Sequence, residues 1–143
     1  MPFRYLQHIA TADIAFEAWG KDLPELFRSA ADAVTNTMVS DLESIAPGKK
    51  LEFDVSHEDL DLLLFNFLQE LVYFKDAQKL LLRVPEVSIT RGKSGYTLKA
   101  SAFGEELDAE KHHLIVDVKA ITLYRFAVRR VEKGWEATVV VDV

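Results

Sequence analysis

The sequence predicts an α+β fold, in which two helices pack on a mixed or antiparallel sheet within a single domain spanning residues 1–143. Short segments that alternate apolar and polar residues are typical of strands, whereas a longer segment with apolar residues three and four positions apart is typical of a helix. A chain of 143 residues with 49% hydrophobic and 28% charged residues suits one ordinary globular core.

Two strands and a helix are predicted first. Residues 3–6 and 14–19 have the pattern of short strands. Asp22 can cap the following helix, and Pro24 suits its first turn. The helix is expected to run through about Val39, because its apolar residues form one stripe that must pack on the sheet: Leu26, Phe27, Ala30, Ala31, Val34 and Met38.

A third strand and a second helix are predicted next. A Pro-Gly turn at residues 47–48 precedes an alternating strand over residues 51–55. Ser56 and Asp59 resemble a capping box at the start of a helix over residues 60–74. This helix is apolar on most sides, which predicts a position between layers of the fold.

The rest of the chain is predicted to be mainly strands. Residues 104–113 are expected to form a polar connection within the domain. Turns at residues 92–95 and 133–134 make two hairpins from the strand-like segments, which are residues 80–91, 96–103, 116–131 and 135–143.

Charge and cysteine content limit the possible functions. A net charge of −6 disfavours direct binding of nucleic acid, although a local patch around Arg125, Arg129 and Arg130 leaves that possibility open. Without cysteine, any metal must bind to oxygen or imidazole ligands. The N-terminus has no secretory pattern and the longest apolar run is too short and too polar to span a bilayer, so a cytoplasmic protein without a membrane partner is expected.

Two aspartates in apolar surroundings are candidate metal ligands. Asp13 stands at the start of a predicted strand, and Asp142 stands within the last one, next to the carboxylate of Val143. If these groups converge, their oxygens could chelate a hard divalent cation such as calcium or magnesium. A turn or cap role for Asp13 and a solvated, frayed chain end are the alternatives.

Other polar residues have weaker signals. Lys119 could neutralise an acidic cluster or contact phosphate, but the alternation of its segment equally supports a solvent-facing lysine. His112 and His113 would face opposite ways in a strand, so they are interpreted as solvated loop histidines. Glu105 and Asp108 are interpreted as part of a solvated acidic turn. No catalytic or nucleotide-binding motif is present, so a self-contained enzyme has no motif support.

Short segments along the whole chain resemble the archease family. Each is short, but their order and spacing together are specific. The segments are Thr11-Ala12-Asp13-Ile14, Phe67-Leu68-Gln69-Glu70-Leu71, Gly104-Glu105, Val118-Lys119-Ala120-Ile121-Thr122, Gly134-Trp135 and the final Asp142-Val143.

The resemblance implies an archease-like domain over residues 1–143 that acts as an accessory protein and has no ligase activity itself. Family members assist an RtcB-type RNA ligase, promoting its guanylylation with GTP, its turnover in transfer-RNA splicing and a broader use of nucleotides. The ligase is the expected partner, and transfer RNA is reached only through it. The resemblance also implies a divalent-metal site, with calcium as the expected ion, onto which Asp13, Asp142 and Val143 map; Lys119 maps onto a lysine with a functional contact.

The sequence departs from the family pattern in one place. Many members have a histidine directly before the Thr-Ala-Asp motif, whereas this chain has Ala10 there. A histidine ligand at that position is therefore excluded. Whether His8 compensates is left open, and it is not counted among the metal ligands.

Two other functions compete with the accessory role. A metal-dependent phosphoester hydrolase could use Asp13, Asp142 and Glu105 as ligands and water as the nucleophile. A general chaperone-like binding module would use the apolar helix over residues 60–74 to present a surface to clients, although burial explains the same residues more simply.

Overall fold

The computed structural model describes residues 2–6 and 13–143. In chain order the elements of this part are strands and helices interrupted by one 3₁₀ turn at Leu42–Ser44. They are β1 (Phe3–Leu6), β2 (Asp13–Gly20), α1 (Leu23–Met38), β3 (Lys49–His57), α2 (Leu60–Gln78), β4 (Leu80–Gly92), β5 (Gly95–Glu106), α3 (Ala109–His112), β6 (Ala120–Val131) and β7 (Gly134–Asp142).

The strands form two antiparallel sheets. One has the order β1-β2-β7-β6 and the other has the order β3-β5-β4. The predicted α+β class and the antiparallel pairing are confirmed, but the strands divide between two sheets where one sheet was predicted. The reason is that α1 and α2 each contact strands of both sheets, so the apolar sides of these helices are covered by two layers.

Helix α1 begins and ends where the sequence predicts. The Asp22 carboxylate accepts a hydrogen bond of 2.9 Å from the Glu25 N–H, which satisfies a free donor of the first turn. Val39 follows the helix in an extended conformation. All six residues of the predicted apolar stripe are buried, so the stripe faces the core as expected.

Helix α2 begins at the predicted residue, but the predicted capping box is wrong. Ser56 belongs to β3, where its hydroxyl donates to Thr97 Oγ1, and it is therefore not available to cap a helix. Asp59 occupies the N-cap position without a side-chain hydrogen bond. The helix also continues past residue 74 to Gln78, and its C-cap Lys79 adopts a left-handed conformation with φ 56°.

The region between β5 and β6 differs most from the prediction. Strand β5 continues through Glu106 and α3 follows, so residues 104–113 are not a simple polar connection. Strand β6 begins only at Ala120. The segment before it, residues 113–119, is here termed the strap, and its first residues bond to the chain at the end of α1. Within the strap, the Ile115 N–H donates to the Met38 carbonyl at 2.8 Å.

The turn between β6 and β7 explains the glycine at position 134. Gly134 has φ +143°, and a Cβ atom there would lie 2.2 Å from the Gly20 carbonyl oxygen. Only glycine fits this close approach without a shift of the backbone.

Among the described residues, no helix combines the length and the apolar content that crossing a membrane requires.

We expect Asp22→Ala to lower the free energy of unfolding by about 1 kcal/mol, because the Glu25 N–H loses its partner. Asp22→Ser is the matched control, since its hydroxyl can still accept this bond. Urea unfolding followed by circular dichroism measures both. Equal destabilisation by the two variants would contradict a capping role.

Candidate functional site

The two candidate aspartates lie opposite each other in the four-stranded sheet. Asp13 is the first residue of β2, and its register partner across β2 and β7 is Asp142. Side chains of directly opposed residues in an antiparallel pair lie on the same face of the sheet and close together. Thr11, Ala12 and His8 lie outside the described residues.

Lys119 joins this end of the sheet from the other side. Asp142 is also the register partner of Ala120, the first residue of β6. The Lys119 N–H donates to the Asp142 carbonyl oxygen at 2.8 Å. Lys119 was predicted within a strand, but it precedes β6 and has an exposed side chain. The three residues and Val143, which directly follows Asp142, are therefore grouped at one end of the sheet.

The chemistry of these groups fits a hard cation. Both aspartates are only partly exposed, and like charges directly opposite each other in a sheet are destabilising unless a cation offsets them. Their donors are all oxygen, which calcium and magnesium prefer. In residues 2–6 and 13–143, no group of three His, Asp or Glu side chains is arranged to hold a metal. A cation between Asp13 and Asp142 would thus need further oxygens, such as those of Val143, backbone carbonyls or water.

Helix α2 supports this end of the sheet through two side chains that the sequence interpretation did not identify as functional. Lys75 is 5% exposed, and its ammonium donates to the Val118 carbonyl at 2.7 Å and pairs with Asp117 at 2.5 Å. Burial lowers the pKa of Lys75, but hydrogen bonds to Asp117 and Asp76 outweigh it and hold the pKa above its ordinary value. The Gln69 carbonyl oxygen accepts from the Ile121 N–H at 3.0 Å.

His112 was interpreted as a solvated loop residue, and this interpretation is wrong. Its side chain is fully buried, because α3 turns it towards the interior. Its Nδ1 accepts from the Asp108 N–H at 2.8 Å, so the ring proton lies on Nε2, which is 2.7 Å from Glu105 Oε1. His113 is exposed, with φ 50°. The two adjacent histidines thus lie in different surroundings. The sequence alone does not show which of them is buried.

Glu105 is not part of a solvated acidic turn. It lies in β5, where its carboxylate accepts from the Ala46 N–H at 3.0 Å, pairs with Lys111 at 2.7 Å and binds His112. The Ala46 N–H, followed by Lys111 and His112, lowers the pKa of Glu105 to about 2. Because Glu105 is occupied in the three-stranded sheet, it does not join Asp13 and Asp142 in the three-carboxylate set that a hydrolase would need.

Comparison with known sequences identifies one family, the archeases. A model of the Archease protein family matches residues 3–143 of this chain. An archease from Pyrococcus abyssi is 38% identical over 141 residues, covering 98% of this chain and 99% of the relative. An archease from Archaeoglobus fulgidus is 35% identical over 146 residues and covers the whole of both chains.

Solved structures have the same fold. The solution structure of Methanobacterium thermoautotrophicum protein 1598 superposes with a TM-score of 0.85 at 29% identity, covering 99% of both chains. The crystal structure of a Thermotoga maritima archease, called a possible chaperone, has a TM-score of 0.56 at 18% identity and covers 94% of this chain and 93% of the other. The second likeness concerns the fold alone.

The Glu105 carboxylate should make stability depend on acid pH. Its folded-state pKa of about 2 lies below its ordinary value of 4.5, so its stabilisation is present above pH 4.5 and is lost as pH falls towards 2. Glu105→Gln should therefore remove part of the fall in the free energy of unfolding over this pH range. Urea unfolding at several pH values measures it.

Glu106→Gln is the matched control for this experiment, because Glu106 is the exposed neighbour on the same strand. It should leave the pH dependence of stability close to that of the wild type. If Glu105→Gln and Glu106→Gln give the same pH dependence, the cluster of Glu105, Lys111 and His112 does not stabilise the fold through charge.

Proposed function

We propose that this chain, which belongs to the archease family, is an accessory protein of an RtcB-type RNA ligase. In this role it promotes guanylylation of the ligase with GTP, supports its turnover in transfer-RNA splicing and broadens its use of nucleotides. It has no ligase activity itself. With a net charge of −6, it reaches RNA through the ligase, and it acts in the cytoplasm.

The observation that carries this proposal is the opposition of Asp13 and Asp142 beside Lys119. Asp13 and Asp142 hold a divalent cation, and calcium is the ion we propose. An oxygen of Val143 is the third proposed ligand. A bound cation would supply positive charge that offsets the charge of a triphosphate.

Lys119 has a separate role in the proposed mechanism. Its side chain is exposed and its backbone N–H bonds to Asp142, so its ammonium can contact a phosphate oxygen or a carboxylate of the partner near the aspartate pair. The aspartates repel phosphate when no cation is bound, whereas the lysine attracts it. The chain's own residues thus orient a triphosphate without supplying a nucleophile, and the reacting group belongs to the ligase.

Single-turnover guanylylation of the cognate ligase, with and without this protein, tests the proposal. The wild type should accelerate guanylylation, and Asp13→Asn and Asp142→Asn should each lose about tenfold or more of the stimulation, because each removes one carboxylate from the pair. Calorimetric titration with calcium should give a parallel loss of affinity.

Asp54→Asn is the matched control for these two variants, because it makes the same charge change at an exposed position of β3 in the other sheet. It should stimulate like the wild type. Full stimulation by Asp13→Asn and Asp142→Asn would remove the carboxylate pair from the mechanism. A folded wild type that gives no stimulation would reject the accessory role.

A chaperone-like binding module is the second candidate. The apolar helix α2 does not favour it, since most of the large apolar residues of α2 are buried. Two other segments do favour it, because each exposes adjacent large apolar side chains. In the strap these are Leu114, Ile115 and Val116, and at an irregular part of β6 they are Leu123 and Tyr124.

If these segments bind clients, Ile115→Ser and Leu123→Ser should weaken the suppression of aggregation of unrelated proteins, because both positions are more than half exposed. Light scattering during heating of a client measures this effect. Val131→Ser, at the other end of β6, is the control. Equal activity of all three variants, or no suppression by the wild type, would reject this candidate.

A further inference from the structure

We infer that Gln69 and Lys75 of α2 are positioning residues that hold Lys119 against the carboxylate pair. This inference rests on the proposed function of the site, but it concerns residues that neither touch a ligand nor take part in binding a cation. The argument begins with the place of β6 in its sheet.

Strand β6 is the last strand in the order β1-β2-β7-β6, so its outer backbone groups face away from any strand of that sheet. The Ile121 N–H is one such group, and its acceptor is the side chain of Gln69 at 3.0 Å. Gln69 thus replaces a strand as the hydrogen-bond partner of the sheet edge. Without this acceptor, a partly shielded N–H would be left unsatisfied.

Lys75 anchors the chain on the other side of Lys119. Its ammonium is buried, yet the Asp117 carboxylate that pairs with it remains 62% exposed. The ammonium also donates to the carbonyl of Val118, whose side chain is fully buried. Asp76 of the same helix pairs with this ammonium at 2.5 Å as well, but it supplies only one of three acceptors. Because a buried ammonium is costly when it loses partners, these contacts favour the observed position of the end of the strap.

The two anchors therefore flank Lys119 closely. Lys75 fixes Val118 just before it, and Gln69 fixes Ile121 two residues after it. Between these two anchors the backbone is placed so that the Lys119 N–H donates to the Asp142 carbonyl oxygen. The position of the Lys119 backbone beside Asp142 is thus set by α2 as well as by the sheet itself.

Gln69→Leu and Gln69→Glu separate positioning from bulk packing. Leucine is similar in size but cannot accept the bond, whereas glutamate keeps an oxygen acceptor. Gln69→Leu should speed amide hydrogen exchange at Ile121 and Lys119 by about fivefold or more, the cost of one hydrogen bond. Gln69→Glu should stay near wild type. Gln78→Leu, at the end of α2, is the control for the substitution itself.

Lys75→Met tests the second anchor, with exchange of the Leu64 amide in the core of α2 as the reference for global unfolding. The expected result is faster exchange at Lys119 with little change at Leu64. Faster exchange at both amides in equal measure would show general destabilisation and overturn the assignment for Lys75. If the Lys119 amide exchanges in Gln69→Leu at the wild-type rate, the assignment of Gln69 as a positioning residue is overturned.

Calcium titration of the isolated protein and ligase guanylylation complete the test. Gln69→Leu should reduce stimulation of the ligase by about fivefold and leave calcium affinity within about twofold, because the aspartates remain in place. If Gln69→Leu speeds exchange at Lys119 but the wild type does not stimulate the ligase, the accessory role is rejected and the positioning inference stands. If the wild type stimulates the ligase and Gln69→Leu stimulates it equally, only the positioning inference is rejected.

Discussion

The pairing of β2 with β7 is the constraint on which the candidate site depends. It joins the first long strand to the last, and its register decides whether Asp13 meets Asp142. A slip of one residue would move the aspartates to different faces and would also turn Phe16 away from the core. The buried pairs Phe16 with Val139 and Ala18 with Ala137 resist such a slip, so core packing holds the carboxylates together despite their charge.

The sequence was informative where a local pattern is repeated over several residues. The stripe of α1, the cap at Asp22 and the alternating strands follow from periodicity, and the structure confirms them. Division into two sheets could not be predicted, because alternation identifies strands but does not identify their partners. The capping box at Ser56 failed for a related reason, since pairing of β3 with β5 engages this residue before the helix begins.

The candidate site was predictable only in part. Asp13 and Asp142 stood out as carboxylates in apolar strands, and the resemblance to archeases gave them a role, which stays a prediction here. Gln69 lies in one of the segments that resemble archeases, but neither it nor Lys75 could be given a role, because each acts on a backbone group far away in sequence. His112 was misjudged for the same reason. Its burial depends on Glu105 and on the short helix α3, neither of which can be seen in two adjacent histidines.

The order of the strands also affects how the chain can fold during synthesis. The sheet of β3, β5 and β4 is built from neighbouring segments and can form as soon as they are available. Strand β2 must wait for β7, nearly the whole chain later, and until then one edge of β2 has no partner strand and α1 lacks the part of its cover that β7 provides. Unpaired strand edges favour aggregation during synthesis, and the nine-residue strand β7 covers this edge of β2.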